Sequence, residues 1–119
     1  ALRENTFKMA GRSVYTFATD VIPKLIAQVC DGVGIQPDEL DFIIPHQANS
    51  RIIDVITKKT GIPGEKILLN LDRYGNTAAA SVGLALDENL RNGVIREGNL
   101  VLMMGFGGGL SWGGILIRI

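Results

Sequence analysis

From Val14 onward the apolar residues Phe17, Ala18, Val21, Ile22, Leu25, Ile26 and Val29 recur three and four positions apart, the spacing of an amphipathic helix. Pro23 falls on the opposite face, which predicts a kink and not a break in the apolar stripe. Gly32 and Gly34 end this helix, and Pro37-Asp38-Glu39-Leu40 reads as a short turn. Asp41-Phe42-Ile43-Ile44-Pro45 predicts a short buried strand. A second helix is expected from about Ala48 to Thr60, with Ile52, Ile53 and Ile56 turned inward and Arg51, Lys58 and Lys59 outward; Gly61 and Pro63 stop it. Ile67-Leu68-Leu69 predicts a second strand.

Thr77 to Leu90 predicts a third long helix, closed by Asn92-Gly93, whose first half (Thr-Ala-Ala-Ala-Ser-Val-Gly-Leu-Ala-Leu) has no polar face wider than a hydroxyl. A helix apolar on all sides is buried on all sides, and a chain this short is not expected to cover it fully. Leu100–Met104 and Leu110–Ile119 then read as two strands joined through Gly105-Phe106-Gly107-Gly108-Gly109. Their near-continuous apolar character predicts sheet interiors covered on both faces. Leu100 to Ile117 carries no charge and raises a membrane question, but six glycines interrupt it; a buried hairpin explains it better than a spanning helix. The expected order is α-β-α-β-α-β-β in one α/β domain, residues 1–119.

Composition agrees with a globular domain: 46% of residues are apolar and 20% charged. Twelve Lys and Arg balance twelve Asp and Glu, so no global field points to nucleic acid. The single cysteine, Cys30, cannot form an internal disulfide, which suits a reducing cytoplasm. The chain opens Ala1-Leu2-Arg3-Glu4-Asn5 without a signal-peptide pattern, and its start reads as a cut within a longer protein.

The sole histidine, His46, lies where the first strand is expected to run into a helix, and Asn76 follows Gly75 where another strand is expected to do the same. Two neutral hydrogen-bond donors at neighbouring strand ends suit a developing oxyanion. Neither is a strong nucleophile, so a covalent step needs a group from elsewhere. His46 also reads as a partly buried structural histidine, and Asn76 as a helix N-cap or turn residue; Thr77 competes for the cap. Gly105 to Leu110 fails the G-x-G-x-x-G pattern at Leu110 and lacks a Gly-Lys-Ser/Thr ending, which makes a nucleotide site a poor reading.

Pro45-His46-Gln47-Ala48-Asn49, Leu71-Asp72-Arg73-Tyr74-Gly75-Asn76-Thr77, Ala85-Leu86-Asp87-Glu88 and Gly105 to Gly113 together resemble the carboxy-terminal part of β-ketoacyl-acyl-carrier-protein synthase III. The resemblance implies half of a thiolase fold, with a mixed sheet covered by helices on both faces in the full enzyme. It implies an acyltransferase that condenses acyl-coenzyme A with malonyl-acyl carrier protein through a Cys-His-Asn triad. His46 and Asn76 match the histidine and asparagine, while the nucleophilic cysteine belongs to an amino-terminal half absent here; Cys30 does not match it. Phe106 is implied to pack near the active site, and a backbone N–H near Gly108 to serve an oxyanion hole.

By the same resemblance Gln47, Ala48, Asn49, Ser50 and Arg51 bind acyl carrier protein or its pantetheine arm. Asn49 would pair with the arm's amides, and Arg51 would offer a fork to phosphate or carboxylate; a solvated arginine on a helix is the plainer alternative. Lys58 and Lys59 extend a basic patch or simply an exposed helix face. Trp112 reads as core or a structural neighbour. The resemblance implies no cofactor and no metal, coenzyme A thioesters as substrates, the amino-terminal half and a second copy as partners, and the cytoplasm as location. A carrier-docking module without activity, and a related polyketide-type thiolase-fold acyltransferase, are the competing functions.

Overall fold

The computed structural model describes residues 10–119. Its longest element is α1 (Gly11–Val33), which runs unbroken through Pro23 and buries Ala18, Val21, Ile22, Leu25, Ile26 and Cys30, the stripe that the periodicity picks out. Proline lacks the N–H that would bond the carbonyl four residues back, here that of Thr19. Lys59 Nζ donates to that oxygen at 2.9 Å and lies 3.6 Å from Asp20. Lys59 therefore repairs the helix at its one weak point and is not a free member of a basic patch. Gly34 ends α1 at φ 73°, a left-handed conformation that a side chain disfavours.

A short 3₁₀ turn (Pro37–Glu39) leads into β1 (Phe42–Pro45), followed by α2 (Arg51–Thr60). The helix begins three residues later than expected, after a turn in which Asn49 Oδ1 accepts the Arg51 N–H at 2.9 Å and the Asn49 carbonyl the Ile52 N–H at 3.1 Å. Next come a second 3₁₀ turn (Gly64–Lys66), the one-turn helix α3 (Leu71–Tyr74), α4 (Ala80–Arg91), β2 (Leu100–Gly107) and β3 (Ser111–Arg118). The strand expected at Ile67–Leu69 is reduced to a single parallel bridge, Ile43 to Ile67. The ladder stops there because the Leu68 carbonyl receives the Gln47 side chain instead of another strand. The third long helix starts at Ala80 and not at Thr77, since Ala78 sits at φ 52°, a left-handed residue that cannot belong to the helix.

The sheet is mixed, in the order β1-β2-β3, with β1 parallel to β2 and β2 antiparallel to β3. Alternate residues face opposite layers. Ile43, Leu102 and Met104 pack with Ile22, Ile26, Ile52 and Ile56 of α1 and α2. Ile44 and Val101 pack with Ala85 of α4 and with Ile95. Each Ile, Leu, Val or Met side chain among these contributes about 1.5–3 kcal/mol by leaving water, well above the 0–1 kcal/mol typical of the exposed ion pairs Lys59–Asp20 and Arg91–Asp87.

The expectation that both final strands are covered on both faces holds for β2 but not for β3. Gly114 approaches α1 so closely that a Cβ would meet Leu25 at 3.4 Å. On the opposite face α4 lies over β1 and β2, and Ile115 is left 62% exposed. Trp112 is likewise 52% exposed, a structural neighbour that meets Phe17 edge-on at 5.5 Å and not a core residue. The small-residue helix is short of cover as anticipated: α4 buries Ser81 and Ala85, while Ala80, Gly83 and Leu84 remain exposed. Among the described residues no helix is long and apolar enough to cross a membrane.

Candidate active site

His46 leaves the end of β1 with its main-chain N–H donated to the Met104 carbonyl at 2.7 Å. The β1–β2 pairing is thereby prolonged by one bond and the imidazole is set at the end of the sheet. The Phe106 ring meets the imidazole edge-on, centroids 5.4 Å apart and planes at 78°. Partial burial lowers the His46 pKa below the usual histidine value, so the ring is neutral near pH 7.

Its hydrogen bonds bear on the tautomer. His46 Nδ1 lies 2.7 Å from Ser81 Oγ, and the same Oγ accepts the Gln47 main-chain N–H at 3.3 Å. Ser81 is fully buried in α4, and among the described residues Nδ1 is the one acceptor within reach of its hydroxyl proton. When Ser81 O–H donates to Nδ1, the ring proton stands on Nε2. Sequence reasoning missed Ser81. Its one signal is a lone hydroxyl within the apolar run Ala78-Ala79-Ala80-Ser81-Val82.

Asn76 sits two residues after α3, in the turn between α3 and α4, and not at the end of a strand. Asn76 Oδ1 accepts the Ala78 N–H at 2.9 Å, which uses the carboxamide oxygen in the turn and leaves the Nδ2 donors for other partners. The Arg73 guanidinium, beside Tyr74 in α3, donates to Glu88 of α4 at 2.7 Å and lies 5.7 Å from the Tyr74 ring centre, fastening the segment that precedes Asn76.

His46 and Asn76 line one cavity of about 1110 Å³, together with Ala48, Asn49, Phe106 and Gly108. Ser13, Val14 and Tyr15, from the start of α1, form part of its wall, a contribution the sequence reading did not anticipate. The cavity exceeds the roughly 300–1,000 Å³ of ordinary small-molecule sites and has mainly apolar walls. Ser111 Oγ donates to the Gly108 carbonyl at 3.0 Å, pinning the glycine-rich turn at the cavity mouth. Among the described residues no cluster of His, Cys, Asp or Glu has a metal-holding arrangement.

The five residues from Gln47 to Arg51 do not act as one surface. Ala48 and Asn49 reach the cavity, while Ser50 and Arg51 lie exposed at the start of α2 outside its walls. Gln47 departs from its expected role as a carrier contact: it is only 1% exposed, and its carboxamide is spent on main-chain partners. Cys30 is buried in α1 with its pKa raised, first by burial and then by the charges of Asp31 and Glu39; it is absent from the cavity walls.

Comparison with known proteins matches residues 30–119 to the family described as 3-oxoacyl-[acyl-carrier-protein (ACP)] synthase III C terminal. The chain is 46% identical over 98% of its length to a Clostridium perfringens β-ketoacyl-[acyl-carrier-protein] synthase III, of which it covers 36%. Its structure superposes on 3-oxoacyl-[acyl-carrier-protein] synthase III from Aquifex aeolicus with a TM-score of 0.93 and 39% identity, covering 100% of this chain and 39% of the other. The priming β-ketosynthase of the R1128 polyketide pathway matches with a TM-score of 0.87 and 35% identity, over 94% and 34% of the two chains. The chain thus spans about a third of the length of the curated relatives it matches, and its mixed sheet between helices is the half-thiolase architecture that the resemblance implies. The chain belongs to the carboxy-terminal family of the 3-oxoacyl-[acyl-carrier-protein] synthases III.

Proposed function

We propose that this chain supplies the two oxyanion donors of a decarboxylative condensation between an acyl-coenzyme A-derived acyl group and malonyl-acyl carrier protein. The observation that carries this reading is that His46 and Asn76 line one cavity, with Nδ1 of the one bonded to Ser81 and Oδ1 of the other accepting the Ala78 N–H. With Ser81 donating to Nδ1, what remains on each is an N–H.

In this reading the malonyl thioester loses carbon dioxide, and the electrons of the broken C–C bond form an enolate with its charge on the thioester oxygen. His46 Nε2–H and Asn76 Nδ2–H meet that oxygen. They bind the enolate more strongly than the neutral carbonyl, and only such a difference lowers the barrier. The enolate carbon then attacks the carbonyl of the cysteine-bound acyl group, a C–C bond forms, and the thiolate leaves. That cysteine belongs to the amino-terminal part of the enzyme; Cys30 is buried away from the cavity.

Asn49, on the cavity wall, is suited to the amides of a pantetheine arm, and the exposed Arg51 to its phosphate or to an acidic carrier surface. The amino-terminal part and a second copy of the enzyme are the remaining partners, no cofactor takes part, and the cytoplasm is the setting. Polyketide priming uses the same donors, and the likeness to the R1128 priming ketosynthase favours no single starter.

The test joins the amino-terminal part of the enzyme to this chain and follows malonyl-dependent carbon dioxide release and β-ketoacyl product. His46→Ala and Asn76→Ala should each slow decarboxylation by about a hundredfold or more. Unchanged rates would remove both residues from the proposed mechanism.

A further inference from the structure

The two proposed donors stand on segments that no strand ladder connects. His46 ends β1, whereas Asn76 follows α3 after the irregular stretch from Ile67 to Asn70. Beyond the Ile43–Ile67 bridge, where the Leu68 N–H donates to the Ile43 carbonyl at 2.8 Å, the bonds that set one against the other converge on Gln47. Its Oε1 accepts the Asn70 N–H at 2.9 Å, and its Nε2 donates to the Pro45 carbonyl at 2.8 Å and to the Leu68 carbonyl at 3.4 Å. The Asn70 carbonyl in turn accepts the N–H groups of Arg73 and Tyr74, so the helix that delivers Asn76 is anchored at the residue Gln47 holds. Through its main-chain N–H, Gln47 also reaches Ser81 Oγ, the atom that bonds His46 Nδ1.

We infer that Gln47 is a positioning residue: its buried carboxamide fixes the segment bearing Asn76 against the strand end bearing His46. The inference rests on the condensing role proposed for those two residues. A carboxamide suits this place because it is neutral and presents an acceptor and donors side by side. Glutamate retains the acceptor for Asn70 but aims a charge at the Pro45 and Leu68 carbonyls; methionine has similar length and makes none of these bonds. A carrier contact requires accessible surface, and the Gln47 side chain has almost none.

The experiment uses the complete enzyme with Gln47→Met and Gln47→Glu. A positioning role lowers kcat for malonyl decarboxylation tenfold or more while KM for malonyl-carrier protein stays within twofold. A raised KM at unchanged kcat would return Gln47 to carrier binding and overturn the inference, as would unaltered kinetics. Two readouts do not depend on catalysis. In the unsubstituted chain the Asn70 amide should exchange with deuterium as slowly as amides of the β1–β2 ladder; exchange at exposed-loop rates would overturn the tie even if neither variant folds. In Gln47→Met the Asn76 side-chain amide and His46 ring resonances should both shift, and unmoved resonances would argue against it. If His46→Ala and Asn76→Ala leave decarboxylation unchanged, the condensing role fails on its own, and these two readouts still decide whether Gln47 holds the segments together.

Discussion

His46 Nδ1 and Ser81 Oγ lie 2.7 Å apart, and this contact joins the end of a strand to the first turn of a helix from the opposite layer. With Ser81 as the donor, the imidazole carries its proton on Nε2, and the contact holds the ring in one orientation. A ring free to flip or to exchange tautomers would offer a donor part of the time; a ring held by a buried hydroxyl offers it continuously. Preorganisation of this kind is what makes a hydrogen bond effective in a transition state.

His46 should remain neutral to a pH below 6.5, because partial burial lowers its pKa. As pH falls through the ordinary histidine range, the unfolded chain takes up a proton that the folded chain does not. The contribution of this group to stability is therefore full above the ordinary histidine pKa, declines as pH falls from that value to the folded pKa, and is gone below the folded pKa. With a single histidine in the chain, nitrogen NMR of labelled histidine reads one titration and one tautomer. The expected result is a bare Nδ1 and a protonated Nε2 at pH 7, with mixed tautomers in Ser81→Ala. A midpoint at or above 6.5 would contradict this environment.

Asn76→Asp separates the two ends of the carboxamide. Aspartate still accepts the Ala78 N–H and preserves the turn, but it has no N–H to offer an enolate. In the complete enzyme the substitution should reduce condensation by about a hundredfold while shifting unfolding free energy by less than about 1 kcal/mol, as for a surface change that keeps its local bond. Full activity in Asn76→Asp would mean that Asn76 serves the turn alone.

Cys30 should behave as an inert thiol. It is fully buried, and burial together with Asp31 and Glu39 raises its pKa, so the reactive thiolate is scarce near neutrality. An alkylating reagent should modify the native chain slower than the urea-unfolded chain by on the order of a hundredfold, the ratio set by local opening. Equal rates would place Cys30 at an accessible and activated position.

Lys59 and Pro23 should prove coupled. Lys59→Met removes the donor to Thr19 and should cost about 0.5–1 kcal/mol. In a Pro23→Ala background the helix supplies its own N–H to that carbonyl, and the same lysine substitution should cost less. Urea unfolding of the four chains measures the coupling, and strict additivity would show that the Lys59–Thr19 bond is energetically idle.

Much of the architecture is legible without coordinates. The stripe from Phe17 to Val29 announces α1 and names its buried residues, because a helix repeats every 3.6 residues and its burial repeats with it. The apolar run Phe42–Pro45 and the hairpin around Gly105–Gly109 are equally plain. The expected strand at Ile67–Leu69 misleads because three apolar residues look alike whether they extend a ladder or touch it once. Composition at Leu110–Ile119 likewise cannot tell a central strand from an edge, and Ile115 is exposed because α4, far away in sequence, lies over β1 and β2.

His46 and Asn76 stand out in the sequence by residue type and motif, and the structure brings both to one cavity; their chemical roles are part of the proposed function. Ser81, Gln47 and Lys59 acquired their roles from distance alone. Ser81 supports the imidazole because α4 crosses the end of β1. Gln47 turns inward because the Leu68–Asn70 stretch leaves main-chain groups that need partners within the protein interior, where water is excluded. Lys59 finds the Thr19 carbonyl because α2 packs along α1. Periodicity encodes which face of an element is buried, but which polar atom meets which across two elements is settled only when the layers close.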